Sequence, residues 1–177
     1  MHFELEPHPD TGRSAVSAIS VDVSRQQAGA LSLRYELSGA IANLLIPAPA
    51  TPERADELWK HACFEAFLQR PGESAYREFN FSPSTQWAAY AFDGHREGMR
   101  VFAIPAPQIT LAVSENSLVI EALIEALGDD AWRLALSAVI EETDGRKSYW
   151  ALKHPPGRPD FHHPDCFAAE LGPSERS

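Results

Sequence analysis

The chain is poor in several things, and each shortage excludes a class of protein. It has 2 cysteines in 177 residues, Cys63 and Cys166, far apart and in no C-x-x-C pattern. Neither a disulfide framework nor a four-thiolate zinc site can be built from them. Basic charge is scarce: 15 Lys and Arg stand against 25 Asp and Glu, a net charge of −10 with neutral histidines. That sign repels phosphate backbones and anionic lipid, and no Lys/Arg stripe offsets it locally, so neither nucleic acid nor a membrane is an expected partner. Long apolar runs are missing as well. No stretch approaches the roughly 20 apolar residues of a spanning helix, and Met1-His2-Phe3-Glu4-Leu5-Glu6-Pro7 lacks the basic start and apolar core of an export signal. With two reduced thiols, the expected location is the cytoplasm. There is no G-x-S-x-G elbow and no Gly-rich phosphate loop, so nucleophilic catalysis and nucleotide binding lack their usual residues.

What is present suffices for one core. At 44% hydrophobic and 10% aromatic residues the chain can bury enough apolar surface to fold, and its length fits a single domain over residues 1–177, with 172–177 expected to be a frayed tail. Segments 15–23 and 30–37 alternate apolar with polar at period two, the mark of strands with one wet face. Residues 76–81, 87–92, 109–113, 117–126, 131–142, 148–154 and 167–171 continue a series of short β segments. Asp93-Gly94, Glu115-Asn116, Gly128-Asp129 and Asp144-Gly145 act as turns. Many short strands with 14 prolines and 10 glycines favour an antiparallel β-sandwich, of jelly-roll or immunoglobulin-like kind, over any βαβ arrangement. One segment reads two ways. Ala55, Leu58, Trp59, Ala62 and Ala66 fall at helical spacing behind Thr51-Pro52, yet 61–68 also fits a strand buried on both faces with Glu65 as its one charge.

Three groups of residues could carry chemistry. Tyr76, Glu78 and Asn80 share one face of their strand, with Phe79 and Phe81 turned to the core. Joined by Glu65, which must be paired or protonated if its segment is a buried strand, they suit hydroxyl recognition beside aromatic rings. The tryptophans form the second group. Trp132, in line with Leu134, Leu136 and Ala138, belongs to the core, whereas Trp150, on one face with Leu152 and His154, leads towards the histidine loop. That loop, 154–166, is the third group, stiffened by prolines and holding His154, His162 and His163. Adjacent His162 and His163 point apart in an extended chain, so no metal is expected there; the plainer reading has His154 and Asp160 hydrogen-bonding loop backbone.

Leu58-Trp59-Lys60-His61-Ala62-Cys63-Phe64-Glu65-Ala66-Phe67, Tyr76-Arg77-Glu78-Phe79-Asn80-Phe81-Ser82-Pro83-Ser84 with Trp87-Ala88-Ala89-Tyr90, and Ser148-Tyr149-Trp150-Ala151-Leu152-Lys153-His154-Pro155 together resemble the bacterial DOMON-like proteins, relatives of the family 9 carbohydrate-binding modules. The resemblance spans about Leu58 to Phe167 and implies a strand for 61–68, with a cleft that takes a ligand between aromatic rings. Some of the family's members bind sugars and others haem through Met and His. Here Met99 lies in the charged stretch His95-Arg96-Glu97-Gly98-Met99, so no cofactor is expected. The expectation is therefore a small-ligand-binding module for a saccharide or polyol, without catalytic residues, whose site is lined by Trp59, Glu65, Glu78, Asn80, Trp150 and His154. Two alternatives stand beside it: glycoside hydrolysis by Glu65 and Glu78, and a metal or haem site on His154, His162 and His163.

Overall fold

The computed structural model describes residues 1–125 and 127–173, so Ala126, at the end of the expected strand 117–126, and residues 174–177 of the expected frayed tail lie outside the described residues. The strands are β1 (His2–Pro7), β2 (Val16–Arg25), β3 (Leu31–Gly39), β4 (Cys63–Gln69), β5 (Tyr76–Phe81), β6 (Trp87–Phe92), β7 (Arg100–Val101), β8 (Gln108–Val113), β9 (Ser117–Ile124), β10 (Trp132–Glu141), β11 (Lys147–Ala151) and β12 (Ala169–Leu171). All pair antiparallel. One sheet runs β1-β2-β3-β9-β8; the other runs β1-β11-β10-β4-β5-β6-β7, with β12 beside the start of β10. The expected antiparallel β-sandwich is what forms. Strand β1 belongs to both sheets: His2 to Leu5 pair with β2, and Glu6 and Pro7 with β11.

The two sheets are built from different sequence patterns, because they have different surroundings. In β3, Leu31, Leu33, Tyr35 and Leu37 are buried while Ser32, Arg34, Glu36 and Ser38 alternate with them on the water side. In β4 every residue is buried. Its Phe64, Ala66 and Leu68 join Phe79, Phe81, Leu134, Leu136 and the inward residues of β2, β3 and β9 in the core between the sheets. Its Phe67 belongs to a second apolar cluster on the opposite face, with Tyr76, Tyr90, Phe92, Phe161 and Phe167. The loop from Leu152 to Ala168 and the 3-10 turn Leu58–Lys60 lie over that second face, which is why the strands beneath them carry few charges.

The helical spacing in 52–68 is overridden. Glu57 adopts a left-handed conformation (φ 62°), the chain makes only the short turn Leu58–Lys60, and β4 then pairs on both sides, with β10 and β5. Once extended, seven consecutive buried residues need such a two-sided ladder to satisfy their backbone groups. One hydrogen bond ties the sheets together through the core: the Tyr35 hydroxyl of β3 donates to the Glu65 carbonyl oxygen of β4 at 2.7 Å.

Candidate functional site

Strand register places the polar residues of the second face. Across β10, β4, β5 and β6, Ser137 stands opposite Glu65, Glu65 opposite Asn80, and Asn80 opposite Ala88. In the next row Phe67 stands opposite Glu78 and Glu78 opposite Tyr90. Glu65 and Glu78 are therefore diagonal neighbours on one sheet face. They form the floor of a cleft of about 440 Å³, within the usual range for small-molecule sites. The 3-10 turn brings Trp59 to the rim, β6 brings Tyr90 and Phe92, β11 brings Lys147 and Tyr149, and the two long loops bring Arg96, Met99, Phe161 and His162. Trp59 and Met99 are 51% and 59% exposed, so apolar side chains at the mouth are open to a ligand.

The floor is short of charge partners. Glu65 and Glu78 are 3% and 5% exposed. Burial, with the neighbouring Glu78 charge, holds the Glu65 carboxyl well above the usual carboxylate range. Burial pushes Glu78 from 4.5 up to about 7, against the opposing pull of the Asn80 hydrogen bond and Arg96. Glu65 Oε2 accepts from the Ser137 hydroxyl at 3.2 Å, and Glu78 Oε1 accepts from Asn80 Nδ2 at 2.8 Å. Asn80 Oδ1 is buried with no hydrogen-bond partner among the described residues. Glu65 stands directly opposite Asn80 in the strand register.

His162 is fixed by a chain of donors. The Arg96 backbone N–H donates to the Tyr76 hydroxyl oxygen at 3.2 Å, and that hydroxyl lies 2.8 Å from His162 Nδ1. Every hydrogen finds an acceptor if Tyr76 donates to Nδ1, which leaves the proton of a neutral imidazole on Nε2, 3.7 Å from Glu78 Oε2. Burial, and then the positive Arg96, lowers His162 to about 4, so the ring is neutral near pH 7. Arg96 occupies a left-handed position (φ 58°), and its guanidinium holds Asp160 through Nε at 3.1 Å and Nη2 at 2.8 Å. Gly98 closes the same turn at φ 63°, where a Cβ would collide with the Asp93 carboxylate.

Of the expected site residues, Trp59, Glu65 and Glu78 line the cleft, and Asn80 lies against the floor through its bond to Glu78. Trp150 does not take part. It is packed in the core between the sheets, and its indole N–H donates to the Ser148 hydroxyl at 3.0 Å. Its neighbour Tyr149 faces the cleft instead. His154 also lies outside the lining: its Nε2 meets the Glu6 carbonyl oxygen at 2.8 Å and its ring stands edge-on to His8, which holds the loop to β1. Asp160, which accepts from the His162 N–H, completes the anchoring of that loop. His154, His162 and His163 thus have separate partners, and among the described residues no three His, Cys, Asp or Glu side chains converge on a metal-sized position. The lining residues Tyr90, Arg96, Tyr149 and Phe161 were not expected, and His162 was expected only as part of a metal or haem site. Tyr90 alone carried a readable signal, since strand pairing of 76–81 with 87–92 puts it opposite Glu78.

No protein-family model and no curated protein matches the sequence. Two solved structures share the fold. A protein from Bacteroides uniformis ATCC 8492, provisionally described as carbohydrate-binding, superposes with a TM-score of 0.61 at 13% identity, over 93% of this chain and 83% of the other. A family 9 carbohydrate-binding module from Caldicellulosiruptor kristjanssonii, solved in complex with glucose, gives a TM-score of 0.54 at 11% identity, over 94% and 81%. At these identities the likeness is one of architecture: the chain is an antiparallel β-sandwich of the kind these two proteins share.

Proposed function

We propose that the cleft on the second sheet binds a saccharide or related polyol and does no chemistry on it. The observation that carries this reading is the setting of Glu65, Glu78 and His162 at the base of a recess walled by Trp59, Tyr90, Phe92, Tyr149 and Phe161. Hydroxyl groups need fixed donors and acceptors, supplied by His162 Nε2–H and the two carboxyl groups, while ring faces cover the apolar C–H surface of a sugar. The glucose-bound neighbour of the same architecture supports the choice of ligand class. In this reading the chain is a single DOMON-like module, and its two buried, unpaired thiols agree with a place in the cytoplasm.

Glycoside hydrolysis is the second reading, and one observation favours it: two carboxyl groups of unlike proton affinity share a cleft. Calorimetric titration with a panel of mono- and disaccharides, glucose among them, tests binding. We expect a saturable signal that Trp59→Ala weakens. Absence of binding to every sugar refutes the reading, and turnover of an aryl glycoside that Glu65→Gln abolishes replaces it with the hydrolytic one.

A further inference from the structure

We infer that the cleft prefers a saccharide bearing a primary amine, its ammonium seated between Glu65 and Glu78. This deepens the saccharide reading and rests on it. Two carboxyl groups lie side by side at 3% and 5% exposure, and no Lys or Arg side chain approaches either within ion-pairing distance among the described residues. Buried carboxyl groups are ordinarily either paired with a cation or kept protonated, and a buried acid pair with no cation beside it is one that an ammonium can convert into an ion pair. His162 does not supply that cation, because burial and then the positive Arg96 lower it to about 4 and leave the ring neutral near pH 7.

Of the two cations that line the cleft, Arg96 is committed to a carboxylate and Lys147 stands exposed at the rim, away from the floor. Arg96 grips Asp160 with two nitrogens, and Lys147 Nζ donates to the Lys60 carbonyl oxygen. At the floor a ligand carboxylate or phosphate would therefore meet two acids and no cation to pair with it, while an ammonium there would meet groups it can bind. The acceptor count fits as well. Glu65 Oε1 and Glu78 Oε2 take no hydrogen bond among the described residues, and Asn80 Oδ1 is the third open acceptor beside them. A primary ammonium has three donors. The aromatic walls add attraction between their ring faces and a cation. A divalent metal is the poorer occupant, since it needs six or more oxygen ligands or a third converging side chain.

The groups that face the acid pair are Ser137 from β10, Tyr76 and Asn80 from β5, Cys63 from β4, Tyr90 from β6, Tyr35 from β3, Arg96 from the turn after β6 and His162 from the long loop. Near neutral pH both raised carboxyls of the unliganded pair hold protons, Glu78 only in part. Seating the ammonium ionises the acids and releases the protons they held to solvent, so charge and atoms balance.

The test is calorimetry on the intact protein at about pH 6.5, where an amine of ordinary basicity is charged. Glucose, glucosamine and N-acetylglucosamine are the probes, and the titrations are repeated in buffers of different ionisation heat to count protons. Glucosamine should bind at least about tenfold more tightly than the two neutral sugars, the worth of one modest ion pair, and only glucosamine should release a proton. Glu78→Gln should collapse the ratio between glucosamine and glucose, and the proton count on the unaltered protein decides the matter should that variant fold poorly. Equal affinity for glucose and glucosamine, or no proton release, overturns the amine preference and leaves the saccharide reading standing. Failure of all three sugars to bind overturns the saccharide reading itself.

Discussion

Replacing Glu78 by Gln should make the protein more stable at neutral and alkaline pH and leave it unchanged in acid. Burial raises the Glu78 carboxyl from 4.5 to about 7 in the folded state. Between those two values the folded chain holds a proton that the unfolded chain has released, so stability falls as pH rises through this window. The displacement corresponds to about 3 kcal/mol. His162 works in the opposite direction: lowered from 6.5 to about 4 by burial, it destabilises the fold as pH drops across that range. The two effects overlap and largely cancel in the unaltered protein, so its stability profile alone would be uninformative. The difference between unaltered protein and Glu78→Gln removes the His162 contribution and reads Glu78 together with its charge coupling to Glu65. It should be near zero at pH 4.5 and grow to about 3 kcal/mol above pH 7, an increase in urea midpoint of roughly 1.5 M for a denaturant slope near 2 kcal/mol/M. Urea unfolding at a series of pH values reads this directly. A difference that stays constant from acid to alkaline pH would show that Glu78 does not hold its proton, and would remove the electrostatic basis of the floor.

Other substitutions separate the cleft from the scaffold. Trp59→Ala should weaken sugar binding about tenfold with a stability change within about 0.5 kcal/mol, because the indole is half exposed; titration and thermal melting check both. Trp150→Ala should do the reverse and cost about 3–5 kcal/mol, since it empties a site between the sheets. Tyr76→Phe removes the donor to His162 Nδ1 and should lower stability by about 1 kcal/mol, with loss of the Nε2–H tautomer in nitrogen-detected NMR of the ring. Glu142→Ala, far from the cleft, strips the acceptor from the Ser14 hydroxyl, the Ala15 N–H and Arg146, and should cost about 1–3 kcal/mol in a melting experiment without altering ligand affinity.

The sequence is informative where one face of a strand differs from the other, and silent where both faces are apolar. In β3 the alternation of Leu with Ser, Arg and Glu assigns every side chain, and in β5 Glu78 and Asn80 mark the face that looks away from the inter-sheet core. In β11 the same rule gives parity without sign. Trp150 and Tyr149 point to opposite faces, both of them covered, and nothing in Ser148-Tyr149-Trp150-Ala151 states which covering is the partner sheet and which is the loop. The larger aromatic, Trp150, is the one that faces the partner sheet, and Tyr149 faces the cleft. Ser148 was the overlooked clue, since a small hydroxyl two residues away satisfies a buried indole. His154 and His162 pose the same difficulty in a loop: the ring that hydrogen-bonds β1 and the ring that joins the floor differ only in which distant strand they meet, a long-range fact with no local signature.

Because β1 pairs with β2 through His2 to Leu5 but with β11 through Glu6 and Pro7, its two halves find their partners at very different moments of synthesis. The first half can dock while the chain is still short. The second must wait until the ribosome has released residues 147–151, and the loop that carries Phe161 and His162 emerges later still. A nascent chain would thus expose an unfinished sheet edge for most of its elongation, a hazard for strand-to-strand aggregation, and would gain its ligand recess among the last events of folding.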